Sequence, residues 1–345
     1  MKIDLYKKED EVWLLDPKDG YARKKMQFEV RKDPLTGHVS RILPYRRRQL
    51  ETAIPEEMVE ASRKNCPFCP DQVVTSTPKL IPEIAPEGRI SRGRAVLFPN
   101  SFPYARHNYV IVLSEEHFLH LGQFTIDILK DGFLVAQDGI VRVLKREPEN
   151  EYPSINWNYL PAAGGGLYHP HIQDVVQDLP TTSHGRSLEG MERHRKKWGS
   201  FFLEDLLSEE RSRGERYIGN YGDVHFLAAF SPLGVLGEIT ILFSDRFGIE
   251  EITEKDWTDF SKGLIGIFGY LEKARIFSFN LSLFSGNGDG IKSWVYGRLC
   301  PRMIIPPWNT SDINYLEKLH GEVICVITPE RLSEELKPIF GTGQT

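Results

Sequence analysis

The chain has 345 residues, 40% hydrophobic, 11% aromatic and 26% charged, a composition ordinary for a soluble globular protein and long enough for two domains. Forty-three Lys+Arg against 48 Asp+Glu leave a net charge of −5, which argues against a protein that coats nucleic acid or a membrane surface, and no apolar run approaches the ~20 residues of a membrane span. Four cysteines, two of them in one Cys-x-x-Cys, exclude a disulfide scaffold at this size, and the start Met1-Lys2-Ile3-Asp4 lacks a signal-peptide core, so a cytoplasmic enzyme or binding protein is expected.

In residues 1–60 charges alternate with short apolar stretches. Asp33-Pro34-Leu35-Thr36-Gly37 is a turn signal between strand-like segments, and Arg46-Arg47-Arg48 follows. Ala95-Val96-Leu97-Phe98 and Tyr109-Val110-Ile111-Val112-Leu113 read as two strands around the turn from Pro99 to Pro103. Apolar residues at 124, 126, 128/129, 133/134, 140/141 and 144 predict a helix over 124–145, despite Gly132 and Gly139. A loop with Pro148 and Pro153, a strand over 155–160 and the turn Gly164-Gly165-Gly166 come next. His169-Pro170-His171-Ile172-Gln173-Asp174-Val175-Val176 then follows at strand spacing.

The same succession recurs. Val224–Ala228 and Glu238–Phe243 repeat the strand pair, and Ser244-Asp245-Arg246-Phe247 falls where Glu115-Glu116-His117-Phe118 stood, an offset of 129. Thr253 can cap a helix over 254–273 with Trp257, Phe260, Leu264, Ile267/Phe268 and Leu271 on one face. Phe279-Asn280-Leu281-Ser282-Leu283 echoes Ile155-Asn156-Trp157-Asn158-Tyr159. The charged stretch 184–216 between the repeats reads as helical and solvated. A duplicated α+β domain is expected, each half holding an antiparallel sheet with packed helices, with residues 1–200 as one half and 201–345 as the other.

Cys66-Pro67-Phe68-Cys69 has the spacing at which two thiolates share a tetrahedral cation. A redox pair would open a helix after a strand, whereas Pro70 and the polar Asp71-Gln72 follow here; two chance cysteines are the bland alternative. Zinc needs two further ligands, and His117 and His169 are available, although His117 alone reads as a surface loop residue. His169 and His171 share one face of a strand, with Pro170 biasing His169 to extended geometry. A histidine held in one tautomer can act as a covalent nucleophile. The preceding glycines offer unhindered N–H groups suited to phosphate, and Gln173 on the same face can donate to a phosphoryl oxygen. The other reading is two metal-ligating histidines beside a plain turn.

In this order, Asp-Pro-Leu-Thr-Gly, Cys-x-x-Cys, Phe98-Pro99-Asn100-Ser101-Phe102 and Asn158 with the glycines and His-Pro-His-x-Gln resemble the galactose-1-phosphate uridylyltransferase family, a branch of the histidine-triad (HIT) superfamily. The resemblance runs almost end to end, through a Gly321-Glu322 segment before a helix over 329–337. It implies two HIT-like halves, a homodimer and ping-pong transfer of a nucleotidyl group from a nucleoside diphosphate sugar or dinucleotide to a phosphorylated acceptor. It makes His171 the nucleophile and Gln173 a ligand of the transferred phosphoryl group. It makes Cys66, Cys69, His117 and His169 a structural zinc site. Arg46, Asn158, Gly164, Gly165 and Gly166 match positions near the substrate phosphates, Asn100 and Phe102 the nucleoside loop, and Glu317 a segment that contacts sugar.

Departures accompany the match. Gly166 replaces the family's usual serine, and Ser101 an aspartate useful for ribose. Tyr296 and Arg298 stand where histidines of a second metal site would be, and Arg246 replaces the repeat's counterpart of His117. Uridylyl transfer between UDP-hexose and hexose 1-phosphate is the first expectation. An adenylyl-transferring phosphorylase is the second, acting on an ADP-sugar or dinucleoside polyphosphate with phosphate or sulfate as acceptor. An inactive zinc-stabilised scaffold is the third.

Overall fold

The computed structural model describes residues 2–46, 53–285, 291–304 and 312–341; Arg47 and Arg48 of the arginine run lie outside these. Strands β1 (Lys7–Asp16) and β2 (Ala22–Lys32) form a hairpin arm, followed by β3 (Val39–Ile42). Helices α1 (Glu56–Arg63) and α2 (Val73–Ser76) flank the Cys-x-x-Cys. Strands β4 (Ile90–Arg92), β5 (Ala95–Pro99) and β6 (His107–Val112) lead to α3 (Ile126–Arg146), then to β7 (Ser154–Tyr159) and β8 (His171–Val176). After α4 (Thr182–Trp198) and α5 (Phe202–Arg213) the order repeats as β9 (Tyr217–Tyr221), β10 (Val224–Ala228), β11 (Ile239–Phe243), α6 (Glu254–Lys273), β12 (Ser278–Phe284) and β13 (Val295–Arg302). Helix α7 (Tyr315–His320), β14 (Glu322–Cys325) and α8 (Pro329–Gly341) complete the succession.

Local chemistry explains the repeated helices. Thr125 caps α3 by accepting from the N–H of Ile128, and Thr253 caps α6 by accepting from Asp256, whose carboxylate answers the Thr253 N–H. Gly132 and Gly139 do not break α3 because they let it lie close to the sheet: a Cβ on Gly132 would stand 2.3 Å from Leu113 Cδ2, and one on Gly139 2.6 Å from Leu97 Cδ1. The predicted turn also forms, with the Asp33 carboxylate accepting from the N–H groups of Leu35 and Thr36.

The fold is α+β, and the antiparallel strands of the two halves merge. They make one ten-stranded sheet in the order β4-β5-β6-β8-β7-β12-β13-β11-β10-β9, five strands from each half. The halves meet where β7 pairs with β12, in the register Ile155↔Leu283, Trp157↔Leu281 and Tyr159↔Phe279. With Ile155–Tyr159 matched to Phe279–Leu283, the Trp157–Leu281 pair is its own counterpart, so an approximate two-fold axis passes through it. A second sheet, β1-β2-β3-β14, joins the two ends of the chain, with β3 and β14 parallel. The Glu330 carboxylate on α8 binds the buried Arg31 of β2 through two nitrogens, at 2.8 and 2.9 Å, and fastens this sheet to the body.

Helices α3 and α6 cover one face of the large sheet and form the main core with Leu97, Ile111, Trp157, Ile172, Phe226, Ile241 and Phe279. They touch each other across the seam, where Phe133 stacks on Trp257 at 5.1 Å. On the opposite face the halves diverge. The stretch expected to be solvated is not: one side of α4 and α5, with Leu188, Met191, Phe202, Leu203 and Leu207, packs on Leu227, Leu242, Trp294 and Tyr296 of the second half. Charge marks the outer side of these helices, and their apolar residues seal the sheet beneath them. The first half carries only Phe68 and Val73 over Phe98, Val110 and Val112. No helix among the described residues is long and apolar enough to cross a membrane.

Candidate active site and metal cluster

Cys66 and Cys69 lie just beyond α1, His117 in the loop after β6, and His169 two residues before β8. All four are buried, and their donor atoms lie within 4.8 Å of one another. Sγ of Cys66 is 3.6 Å from His169 Nδ1, and Sγ of Cys69 is 3.4 Å from His117 Nδ1 and 3.8 Å from His169 Nδ1. Tetrahedral zinc with ordinary bond lengths would hold sulfur and nitrogen about 3.6 Å apart. Both imidazoles have their outer nitrogens engaged. His169 Nε2 donates to the Ser114 carbonyl at 2.9 Å, and His117 Nε2 faces the Val59 carbonyl at 3.1 Å and the Ser62 hydroxyl at 2.9 Å. These carbonyls hold the proton on Nε2 and turn each Nδ1 lone pair toward the thiols, the arrangement of metal-ligating histidines. Burial and the neighbouring Cys66 push the Cys69 thiol up to about 11, and burial moves His169 down to about 4. The group could bind a metal ion such as zinc.

His171 opens β8 opposite Val112, on the face away from α3. Its Nδ1 donates to the His169 carbonyl at 2.7 Å, which leaves Nε2 as the unprotonated atom. Burial holds the ring below the usual histidine range and so favours the neutral form. Phe68, inside the Cys-x-x-Cys, packs its ring edge 5.3 Å from His171. The His169 carbonyl and Phe68 together fix where this imidazole points.

Gln173 follows on the same face. Its Oε1 accepts from the Tyr104 hydroxyl at 3.2 Å and lies 3.5 Å from Asn100 Nδ2. Asn100 is braced by Asn108 Oδ1 at 2.9 Å and accepts from the Phe102 N–H, which leaves the Phe102 ring 87% exposed. With its carbonyl engaged from behind, Gln173 has amide N–H groups that no acceptor among the described residues takes up. The loop before His169 is shaped by its glycines. Gly164 takes φ +88°, and a Cβ on Gly165 would stand 2.9 Å from the Asn158 carbonyl, so both need glycine. A Cβ on Gly166 would meet nothing within 4 Å, so the missing serine is a chemical choice rather than a steric one.

Asn158 is exposed near this loop, on the same sheet face as His171 and Gln173. Glu317 lies in α7, half-buried, with burial and Asp312 raising its carboxyl and Arg302 opposing that rise. Arg46 is exposed at the end of the short turn after β3, and no hydrogen bond among the described residues ties it to the His171 group. Tyr104, Asn108 and Ser62 were not legible as site residues: each is a common polar residue, in a loop, a strand and a helix respectively, and only the fold gives it a partner. In the second half Tyr296 is buried, and Arg298 is clamped by the Glu238 carboxylate through two nitrogens. Arg246 pairs with Asp256 at 2.7 Å. These contacts engage both arginines with carboxylates.

No family model matches the chain. An uncharacterised protein of Archaeoglobus fulgidus is 28% identical over 319 residues, spanning 90% of this chain and 92% of that one. An ADP-glucose phosphorylase from Arabidopsis thaliana, solved with ADP-glucose bound, superposes with a TM-score of 0.68 at 15% identity, covering 89% of this chain and 98% of its own. A uridylyltransferase superposes with a TM-score of 0.66 at 17% identity, covering 92% and 99%. The chain therefore shares the fold of these two solved proteins, an ADP-glucose phosphorylase and a uridylyltransferase.

Proposed function

We propose that the protein is a nucleotidyltransferase that works through a nucleotidyl-His171 intermediate, and that uridylyl transfer between UDP-hexose and hexose 1-phosphate is its reaction. One observation carries this: His171 is a neutral imidazole with Nδ1 bonded to the His169 carbonyl and Nε2 without a partner among the described residues, two strand positions from the amide of Gln173 on the same face. Nε2 attacks the α-phosphorus, and the bond from that phosphorus to the bridging oxygen breaks. The electron pair leaves with the hexose 1-phosphate. In the second step a phosphate oxygen of the acceptor attacks the same phosphorus, and the imidazole departs. A neutral attacker avoids repulsion by the anionic phosphate, and the Gln173 amide and loop N–H groups spread charge as it develops. Holding the nucleophile in place contributes on the order of 7–11 kcal/mol relative to a free imidazole.

Cys66, Cys69, His117 and His169 would hold zinc, closed by four protein ligands and therefore structural. Its bond to His169 would stiffen the strand that carries His171. Within this reading residues 1–200 hold the chemistry, and residues 201–345, with Glu317, serve substrate binding and a homodimer. The exposed Trp13, Leu14 and Leu15 of the β1–β2 arm, in residues 1–200, would add an apolar surface to that dimer.

A second reading, AMP transfer from an ADP-sugar to a phosphate or sulfate acceptor, is favoured by Gly166, which offers no hydroxyl to the second phosphate. Mass spectrometry of the protein after incubation with UDP-glucose, ADP-glucose or diadenosine polyphosphates decides between them. A UMP increment on His171 supports the first and an AMP increment the second. An adduct elsewhere, or none, removes both and favours the scaffold.

A further inference from the structure

Asn158 on β7 and Asn280 on β12 stand opposite each other across the seam between the halves, on the face that carries His171. Asn280 Nδ2 donates to Asn158 Oδ1 at 2.7 Å and to the Ala163 carbonyl at 2.8 Å. Asn280 Oδ1 accepts from Arg302 Nη1 at 2.6 Å. Arg302 is held in turn by Asp312 at 2.7 Å, and Asp312 also accepts from the Met303 N–H at 3.0 Å. Both ends of the Asn280 amide are therefore engaged, and turning it over would place its oxygen against two other oxygens.

This fixes its neighbour. An asparagine amide has nearly the same shape either way round, so an isolated Asn158 could offer a phosphate its amino group or its carbonyl oxygen. The first attracts an anion and the second repels it. Because Asn280 presents only N–H toward Asn158, the Asn158 oxygen must face β12 and its amino group must face the other way. That other side is the glycine loop, where Asn158 Nδ2 lies 3.9 Å from the Cβ position of Gly164.

We propose that Asn280, anchored by Arg302, is a positioning residue that sets the Asn158 amide so that its N–H groups meet the anionic phosphates of the nucleotide donor. Through this pair the second half of the chain, which lacks the reactive histidines, takes part in the chemistry of the first. The inference rests on the nucleotidyl-transfer reading and names a residue that reading does not include.

The test uses the full chain with Asn158→Ala, Asn280→Ala and the double variant, reading the rate of His171 labelling by UDP-glucose and ADP-glucose. Loss of one oriented hydrogen bond predicts a roughly tenfold slower rate for Asn280→Ala. The double variant should be no slower than Asn158→Ala, because a residue that acts only through Asn158 has nothing left to position. Losses that add, or an unchanged rate in Asn280→Ala, would overturn the proposal. A second readout needs no chemistry: the side-chain ¹⁵N–H₂ resonances of Asn158, identified by their loss in Asn158→Ala. They should move in Asn280→Ala and in Arg302→Gln, and unmoved resonances would overturn the link. If the unaltered protein takes up no nucleotide from either donor, the functional reading fails on that result alone, and the resonances still decide whether Asn280 governs Asn158.

Discussion

The two halves of the large sheet share strand order, helix caps and packing on one face, and differ in what lies on the other. In the second half α4 and α5 lay Leu188, Phe202 and Leu203 over Tyr296, and Arg298 is locked to the buried Glu238. In the first half the corresponding face holds His171, Gln173 and Asn158 beside a glycine loop, with Asn158 and Gly166 exposed. One covering stabilises; the other leaves the Gln173 amide N–H groups and the His171 Nε2 lone pair without a partner among the described residues. A duplicated scaffold thus separates two demands that conflict in a single site, because a polar group fully satisfied within the protein is unavailable to substrate.

The largest expected contrast comes from matched truncations. His171→Ala should lower nucleotidyl transfer on the order of 10³-fold or more while the protein stays folded with its metal, since the removed ring is no ligand. Arg298→Ala should do the reverse. It leaves Glu238 buried without its partner and should cost about 3–5 kcal/mol of stability, read as a lower unfolding midpoint, with adduct formation preserved in the folded fraction. Labelling that survives His171→Ala, or chemistry lost with Arg298→Ala in fully folded protein, breaks the division between the halves.

Metal content sharpens the same comparison. Elemental analysis of the purified protein should find about one zinc per chain, all in the first half. Cys66→Ser combined with Cys69→Ser should bring zinc near zero, lower the unfolding midpoint and lose activity together with the His169 anchor. Zinc that persists in that double variant would place the metal elsewhere.

The smallest effect concerns the reverse side of the reactive strand. Asp174 is wholly buried with neither carboxyl oxygen hydrogen-bonded, and burial holds it well above the usual carboxylate range. An acid with a raised folded value keeps its proton when the unfolded chain would release it. Its contribution to stability is therefore full below the ordinary range near pH 4 and declines as pH rises above it. Asp174→Asn has nearly the same shape and no proton to lose. The variant should gain stability over the parent as pH is raised from 4 to 8 in denaturant titrations. A gap that does not widen with pH would mean that Asp174 is paired after all.

Much of this was written in local pattern. The helix over 254–273 is capped where Thr253 stands, the strand pair 95–98 and 109–113 lies within β5 and β6 but for Leu113, and the repeat follows from apolar spacing, all features of near neighbours along the chain. The His-x-His spacing already places both rings on one face of a strand, because side chains alternate with a period of two. Local pattern misread 184–216 as solvated, since the charges of α4 and α5 are conspicuous while their apolar residues gain meaning only from the sheet beneath. Tertiary structure alone decided that the strands of the two halves join in one ten-stranded sheet, that residues 39–42 pair with 322–325, and that Tyr104 and Asn280 hydrogen-bond the amide oxygens of Gln173 and Asn158. These are contacts between residues 69 to 283 positions apart, and no local propensity encodes which partner a hydrogen-bonding side chain meets at that distance.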